Sequence, residues 1–225
     1  MVSRISEDYF VLPVIQRRLV WGEEQMELLF DTLLKGNSLG CIMVMEEEKG
    51  KQPMFAFRGF TKDGTDTFSL NPGENLGKEH FLVIDGQQRL QAFYLGLLGN
   101  INGKLLFFNL TSDCEKFEFD FKFASEKSKL PKVQTLENSN KRRNYWYSVP
   151  ELFKQLRNTN DVYGTCENIV EKLGIEKSSI KRMFDMNIKR FFLNTIDTCA
   201  IGLSIVRVTQ SSNNDDTCAL LMLTC

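Results

Sequence analysis

Apolar residues recur along the chain at two spacings, and their order predicts which segments form helices and which form strands. Apolar positions three and four residues apart predict helices in five segments: residues 23–35, 87–98, 148–157, 162–173 and 178–194. Apolar runs and alternation predict strands in seven others: residues 10–15, 41–45, 54–60, 81–84, 105–110, 117–123 and 201–209. We therefore predict an α+β fold, in which a small mixed β-sheet domain with flanking helices is followed by a helical segment.

Two of the predicted strands carry further detail. Pro13 lies inside residues 10–15, and a proline has no N–H group for a sheet, so this segment is expected to be an edge strand or an extended arm. Residues 117–123 alternate phenylalanine with charged residues, which predicts a half-buried antiparallel strand. We expect this strand to form a hairpin with residues 105–110.

A change of composition near Ser125 predicts three parts of the chain. Residues 1–125 would hold the sheet domain, and residues 126–200 a basic, weakly apolar linker followed by helices. Residues 201–225 begin a further strand and end in an apolar tail at 218–225. Because apolar sequence needs a partner to bury it, we interpret this C-terminus as atypical and as truncated or altered.

The composition excludes several functional classes. With 28 basic and 29 acidic side chains the net charge is −1, which is not the overall basic excess of a dedicated nucleic-acid binder, although local patches stay open. No apolar run is long enough to span a membrane and no secretory signal is present, so we expect a cytoplasmic protein without a membrane partner. Six cysteines without a C-x-x-C pair and a single histidine predict neither zinc nor haem. That histidine, His80, is interpreted as an ordinary loop residue.

The sharpest chemical signal is the point where a buried strand passes through Asp85 and Gly86 directly into a helix. The first amides of a helix have no acceptor inside it, so they can receive an anion. Arg89 lies in the first turn, where its guanidinium could donate to phosphate oxygens. Asp85 would either cap the helix or hold Mg²⁺ or a water molecule. The alternative is a structural turn with solvated polar side chains, including Gln87 and Gln88.

A second polar cluster follows the first predicted strand. Gln16 and Arg17 stand between that strand and Trp21, and they repeat the glutamine–arginine pairing of the first cluster. If the two strands pair, both clusters could converge on one polyphosphate. The alternative assigns Arg17 to a surface ion pair and Trp21 to the core, which is the favoured interpretation for Trp21.

The helix at residues 178–194 has four cations on its polar face that could follow a DNA phosphate backbone: Lys181, Arg182, Lys189 and Arg190. Charges opposite an apolar stripe are more often simply solvated, so both interpretations stay open.

Several of these motifs together resemble a known family. They are Pro13-x-x-Gln16-Arg17, Trp21, Gly40-x-Ile42 and the five residues Asp85-Gly86-Gln87-Gln88-Arg89. In this order they are similar to the N-terminal domain of GmrSD-type modification-dependent restriction systems, the DGQQR-motif family related to the ParB/sulfiredoxin fold. The resemblance is close over residues 10–98.

The resemblance implies a nucleotide-binding domain that hydrolyses nucleoside triphosphates with Mg²⁺ and gates the cleavage of modified phage DNA. By motif match, the nucleotide-binding residues would be Gln16, Arg17, Gly86, Gln88 and Arg89. Asp85 or Gln87 would orient the attacking water, Asp85 is the candidate Mg²⁺ ligand, and Arg17 and Arg89 would neutralise the developing charge.

The resemblance also implies that a histidine-metal nuclease domain or subunit is supplied elsewhere, so the chain would not be a nuclease on its own. An NTPase is the leading prediction for its activity. Two alternatives come from other classes: a non-catalytic DNA-binding adaptor, and a degenerate fragment that acts only through protein partners.

Overall fold

The computed structural model of the protein describes residues 2–15, 19–46, 56–63, 80–135, 141–198, 200–209 and 220–224. Within these ranges the fold is of the predicted α+β class, with six α-helices and mixed sheets. The helices are α1 (Val2–Ser6), α2 (Glu23–Leu34), α3 (Gln87–Leu98), α4 (Val149–Thr159), α5 (Val162–Lys172) and α6 (Ser178–Phe192). The strands are β1 (Phe10–Pro13), β2 (Cys41–Glu46), β3 (Phe57–Arg58), β4 (Phe81–Asp85), β5 (Leu105–Asn109), β6 (Phe121–Ala124), β7 (Val133–Thr135), β8 (Lys141–Arg143), β9 (Trp146–Ser148), β10 (Gly202–Thr209) and β11 (Leu220–Thr224).

The larger sheet has six strands in the order β11-β10-β2-β4-β1-β3. β10 is parallel to β2 and β4 is parallel to β1, whereas the other neighbours are antiparallel. The prediction that β1 is an edge strand or an arm is wrong, because β1 lies between β4 and β3. Pro13 is tolerated since it is the last residue of the strand and pairs with Phe57, beyond the residues of β1 that pair with β4.

The apolar tail has a partner in this sheet. The backbone of β11 pairs with β10 in antiparallel register, from Thr209 opposite Leu220 to Ile205 opposite Thr224. The predicted strand at residues 201–209 is confirmed as β10, and the tail adds a strand at the sheet edge. The polar stretch between the two strands lies outside the described residues.

A second sheet has the order β6-β5-β9 and is antiparallel throughout. The predicted β5–β6 hairpin is confirmed, but the second strand begins at Phe121 and not at Phe117. Phe117 has a left-handed backbone with φ of 57° and a half-exposed ring, because it lies in a turn bounded by the bridge between Asp113 and Glu118. The alternation of phenylalanine and charged residues therefore begins in the turn, four residues before the strand itself.

The described residues of the basic segment that was predicted as a linker, 127–135 and 141–143, form ordered structure. β7 and β8 pair as a two-stranded ribbon, and β9 joins the second sheet beside β5. Trp146 packs in a small apolar cluster with Phe107 and Leu130, and its indole N–H donates to the carbonyl of Pro131 at 2.8 Å. The segment therefore buries a small apolar cluster that is separate from the main core.

Helix α3 is central and is buried on almost all of its faces. Leu90 and Tyr94 pack against the six-stranded sheet, whereas Phe93 and Leu95 belong to the main core. That core also contains the inward faces of α2, β5, β6 and of α4 to α6. The interior therefore continues across the composition change at Ser125, and the helical segment shares a core with the first part of the chain.

Candidate functional site

The candidate site is the turn between β4 and α3. Gly86 is the N-cap residue and is left-handed, with φ of +84°. A Cβ atom there would lie 2.9 Å from Cγ1 and 3.3 Å from Cα of Ile42, so only glycine fits the turn against β2. The helix has no side-chain cap, so of the two alternatives for Asp85 the one in which it caps the helix does not hold.

The turn presents backbone donors to a pocket. The first hydrogen bond of α3 runs from the N–H of Leu90 to the carbonyl of Gly86, at 3.0 Å. The N–H groups of residues 87–89 precede it, so they have no acceptor within the helix and lie at the positive end of its dipole. A pocket of about 540 Å³ opens here, lined by Trp21, Ile84 and residues 85–89.

Arg89 is held in the structure by backbone carbonyls. Its guanidinium donates to the carbonyl of Leu39 and, at 2.9 Å, to that of Cys41. A Cβ atom at Gly40, which has φ of +79°, would lie 2.8 Å from Nη1, so the loop closes tightly around the guanidinium. The Arg89 side chain is 21% exposed and lies 3.5 Å from the carboxylate of Asp85. Arg89 thus joins the start of α3 to the start of β2, and a phosphate would have to share its donors.

Gln88 and Gln91 join the same helix to two other loops. Gln88 is buried, and its Oε1 accepts from the N–H of Val20 at 2.9 Å and from that of Trp21 at 3.3 Å. Gln91 is also buried and both accepts from and donates to the backbone of Thr61. Gln88 therefore positions Trp21 beside the turn, which is a structural role that the motif alone did not reveal.

Asp85 and Gln87 are the two polar side chains of the motif that line the pocket and form no hydrogen bond with another loop of the described chain. The Asp85 carboxylate is 73% exposed, and the Gln87 amide forms no hydrogen bond with another described residue. Ile84 is 39% exposed, which is unusual for the apolar end of a buried strand, and it forms an apolar wall with Trp21. Trp21 is half-buried and packs against the main core, as the sequence favoured, but its second place in the wall of the pocket follows from the tertiary arrangement.

The remaining predicted site residues divide into two groups. Gln16 and Arg17 lie outside the described residues. On α6, Lys181, Arg182 and Lys189 are exposed. Arg190 instead lies 4.6 Å over the ring of Phe117 and points towards the carbonyl of Leu34, so it packs the helix against its neighbours.

Two further properties concern the described part of the chain. No group of three or more histidine, cysteine, aspartate or glutamate side chains in it could hold a metal ion. None of its helices is long and apolar enough to cross a membrane. His80, predicted to be an ordinary loop residue, is buried with its ring centroid 5.3 Å from that of Phe57.

The fold and the site define an α+β domain with a glycine turn that runs from a buried strand into a helix. The sequence matches the GmrSD restriction endonuclease N-terminal domain family over residues 1–220, and the chain belongs to this family. It is therefore related to components of restriction systems. It is also 27% identical over 204 residues to the uncharacterized protein MJ0686 of Methanocaldococcus jannaschii, a match that covers 76% of this chain and 33% of that protein. The chain spans about a third of the length of this curated relative.

Proposed function

We propose that this chain binds a nucleoside triphosphate at the turn between β4 and α3 and hydrolyses it with Mg²⁺, as the regulatory domain of a restriction system that acts on modified DNA. The observation that supports the proposal is the combination found in one pocket of about 540 Å³. Helix amides, the exposed carboxylate of Asp85 and the apolar wall of Trp21 and Ile84 all border it.

The amides would receive the phosphates. Free N–H groups and the helix dipole both favour negative charge at this position, with the dipole contributing about 0.3–1 kcal/mol at an exposed site. Gly86 has no side chain to block the approach of an oxygen to the backbone. The guanidinium of Arg89 adds positive charge at one edge of the pocket while its bonds to Leu39 and Cys41 keep the turn in place.

The apolar wall would receive the nucleoside. Oε1 of Gln88 accepts from the N–H groups of Val20 and Trp21, so the backbone that carries the indole is positioned before any ligand arrives. Stacking of a base on an aromatic side chain contributes roughly 1–3 kcal/mol and does not depend strongly on which base is present. The pocket therefore predicts affinity for nucleotides with little discrimination among bases.

The donor set fits Mg²⁺ that arrives with the nucleotide. This ion is usually held by one or two carboxylates together with phosphates and waters, and Asp85 offers one exposed carboxylate beside the helix amides. Bound there, Mg²⁺ would neutralise phosphate charge. The amide of Gln87, which has no described partner, would orient the attacking water.

The decisive experiment measures phosphate release from ATP, GTP, CTP and UTP with Mg²⁺. We expect Asp85→Asn and Gln87→Ala to lower the rate by roughly tenfold or more at an unchanged melting temperature, because both side chains act on the reaction and neither holds the fold. The matched control is Asp185→Asn, an exposed carboxylate on α6, which should leave the rate unchanged. The proposal is wrong if the wild-type chain neither releases phosphate nor gains thermal stability from millimolar nucleotide. Salt-dependent DNA binding without turnover would instead favour the adaptor.

We further propose that DNA cleavage depends on a histidine-metal nuclease domain or subunit outside these residues. The 225 residues contain one histidine, and His80 is buried against Phe57. Such nuclease sites use several histidines, so a single buried histidine supports a nuclease that is supplied from outside these residues.

A further inference from the structure

A groove of about 680 Å³ lies where β8 passes the turn between α5 and α6. Its lining includes four cations, Lys141, Arg142, Arg143 and Lys177, and one carboxylate, Glu176. None of the four cations forms an ion pair with a described residue. The groove therefore concentrates positive charge on a chain whose overall charge is close to zero.

The geometry of β8 keeps these cations available. Lys141 and Arg143 are exposed, and the guanidinium of Arg143 lies 5.0 Å over the ring of Tyr145. A guanidinium stacked on a ring is fixed in orientation, while the N–H groups in its plane can still donate to an acceptor. The ribbon of β7 and β8 thus holds one arginine in a defined direction at the mouth of the groove.

The start of α6 adds to the positive charge on the other side. Lys177 is the N-cap residue and no side chain caps the helix, which is 15 residues long. The N–H groups of Ile180 and Lys181 both bond to the carbonyl of Lys177 at 3.1 Å, so the preceding amides of Ser178 and Ser179 have no acceptor within the helix. The dipole end of α6 and the four cations consequently meet in one groove.

A further cation, Lys127, lies near Arg143 and outside the lining of the groove. Burial lowers the pKa of Lys127, and the charges of Lys172 and Arg143 lower that pKa further, against the opposing effect of Glu151. Lys127 and Arg143 are therefore close enough for their charges to interact. A linear polyanion that extends from the groove beyond Arg143 would therefore also lie near Lys127.

We propose that this groove binds the phosphodiester backbone of DNA, independently of base sequence. Arginine forks and helix amides are suited to phosphate oxygens, and four cations that form no ion pair with a described residue match a row of phosphates. The basic groove shares no residue with the pocket at the start of α3. It also differs from the cations predicted from the sequence of α6, because the charges come from β8 and from the residue that caps the helix.

The test measures the binding of the full chain to a fluorescent duplex of about 20 base pairs over a range of salt concentrations. The double variant Lys141→Gln/Arg143→Gln removes two phosphate contacts. The slope of log K against log salt should become shallower by about 1.8, because each contact contributes about 0.9. Affinity at low salt should fall by roughly tenfold or more, and the charge-conserving Lys141→Arg variant should keep the wild-type slope.

The matched control is Lys154→Gln/Arg157→Gln, which removes the same two charges from the exposed face of α4 outside the groove. It should bind DNA like the wild type, and thermal unfolding and nucleotide binding should be unchanged in both double variants. Nucleotide binding is thereby tested separately from DNA binding. The proposal is overturned if the wild type does not bind the duplex, if both double variants weaken binding equally, or if pyrophosphate stabilises the chain while the duplex shows no dependence on salt.

Discussion

The guanidinium of Arg89 donates to the carbonyls of Leu39 and Cys41, so its first effect is on the structure of the turn. Loss of activity in an Arg89 variant would therefore not distinguish a phosphate contact from a displaced helix start. Asp85 and Gln87 are better probes, because neither holds another segment of the described chain. This is why the activity test above uses their side chains.

The stability of Arg89 variants separates the two roles. Arg89→Ala removes two charge-assisted hydrogen bonds, each contributing about 1.5–3 kcal/mol, and we expect the free energy of unfolding to fall by about 3–6 kcal/mol. Arg89→Lys should recover only part of this, since an ammonium cannot span both carbonyls as the planar fork does. Urea denaturation measures the change, with Arg157→Ala, an exposed arginine on α4, as the control. Equal stability of Arg89→Ala and wild type would contradict the structural role.

At the residue scale, the sequence predicted the strand, the glycine turn and the helix, because these depend on neighbouring residues. It could not predict the partners of Gln88 and Arg89. The carbonyl groups that accept from Arg89 lie 50 and 48 positions away in the chain. The N–H groups that donate to Gln88 lie 68 and 67 positions away. Such contacts follow from the tertiary arrangement, which no local pattern contains.

At the scale of elements, a side-chain network joins β9, α4 and α5. The hydroxyl of Tyr147 donates to Oε1 of Glu151 at 2.8 Å, and the ammonium of Lys172 donates to the same oxygen at 3.0 Å. The amide of Gln155 donates to the Tyr147 oxygen at 3.1 Å. The network therefore depends on Tyr147 keeping its proton.

This network predicts a loss of stability in alkali. Burial and the bond to Glu151 raise the pKa of Tyr147 to about 12, above its ordinary value of 10.0. A pKa that is higher in the folded than in the unfolded state gives stability that is complete below pH 10 and is lost as the pH rises towards 12. The difference in unfolding free energy between wild type and Tyr147→Phe should therefore shrink over this range, by up to about 1.4 kcal/mol per pH unit. A constant difference across the range would show that the tyrosine proton does not contribute.

The predictions for elements succeeded where the apolar pattern was long. Helices α2 to α6 were all predicted, with boundaries that differ from the observed ones by a few residues. The pattern wrongly placed Phe117 in a strand, because this left-handed turn residue belongs to the same alternation. It also missed β9, which has only three residues and follows a basic run. Short strands are fixed by the neighbours they pair with, here β5, and not by their own sequence.

For the whole molecule, the shared core predicts one cooperative unfolding transition. Trp21 lies beside the α3 turn and Trp146 in β9, on opposite sides of residue 125. In the single-tryptophan variants Trp21→Phe and Trp146→Phe, the urea midpoint from fluorescence should equal the midpoint from far-ultraviolet circular dichroism of the same variant. Because fluorescence and circular dichroism are compared within the same variant, a loss of stability caused by the substitution shifts both midpoints equally. Midpoints that differ by more than about 0.3 M would indicate two independently folding parts.

The topology of the whole sheet was beyond the reach of the sequence. One of the two neighbours of β2 is β10, and the pairing of Cys41 with Gly202 joins residues far apart in the sequence. Hydrophobic periodicity identifies both strands as strands but carries no information on which of them are adjacent. The same limit explains why the tail at β11 was expected to lack a partner.

The loop that receives Arg89 is also bonded on its other side to the start of β10. The N–H of Leu39 donates to the carbonyl of Ala200, and the N–H of Gly202 donates to the carbonyl of Gly40, both at 3.0 Å. Three residues of backbone therefore separate the guanidinium from the C-terminal strands. Suppose that a ligand in the pocket moves Arg89 and thereby changes the affinity of a partner that binds residues 200–202. Thermodynamic linkage then requires that this partner change the affinity of the pocket for the ligand by the same factor.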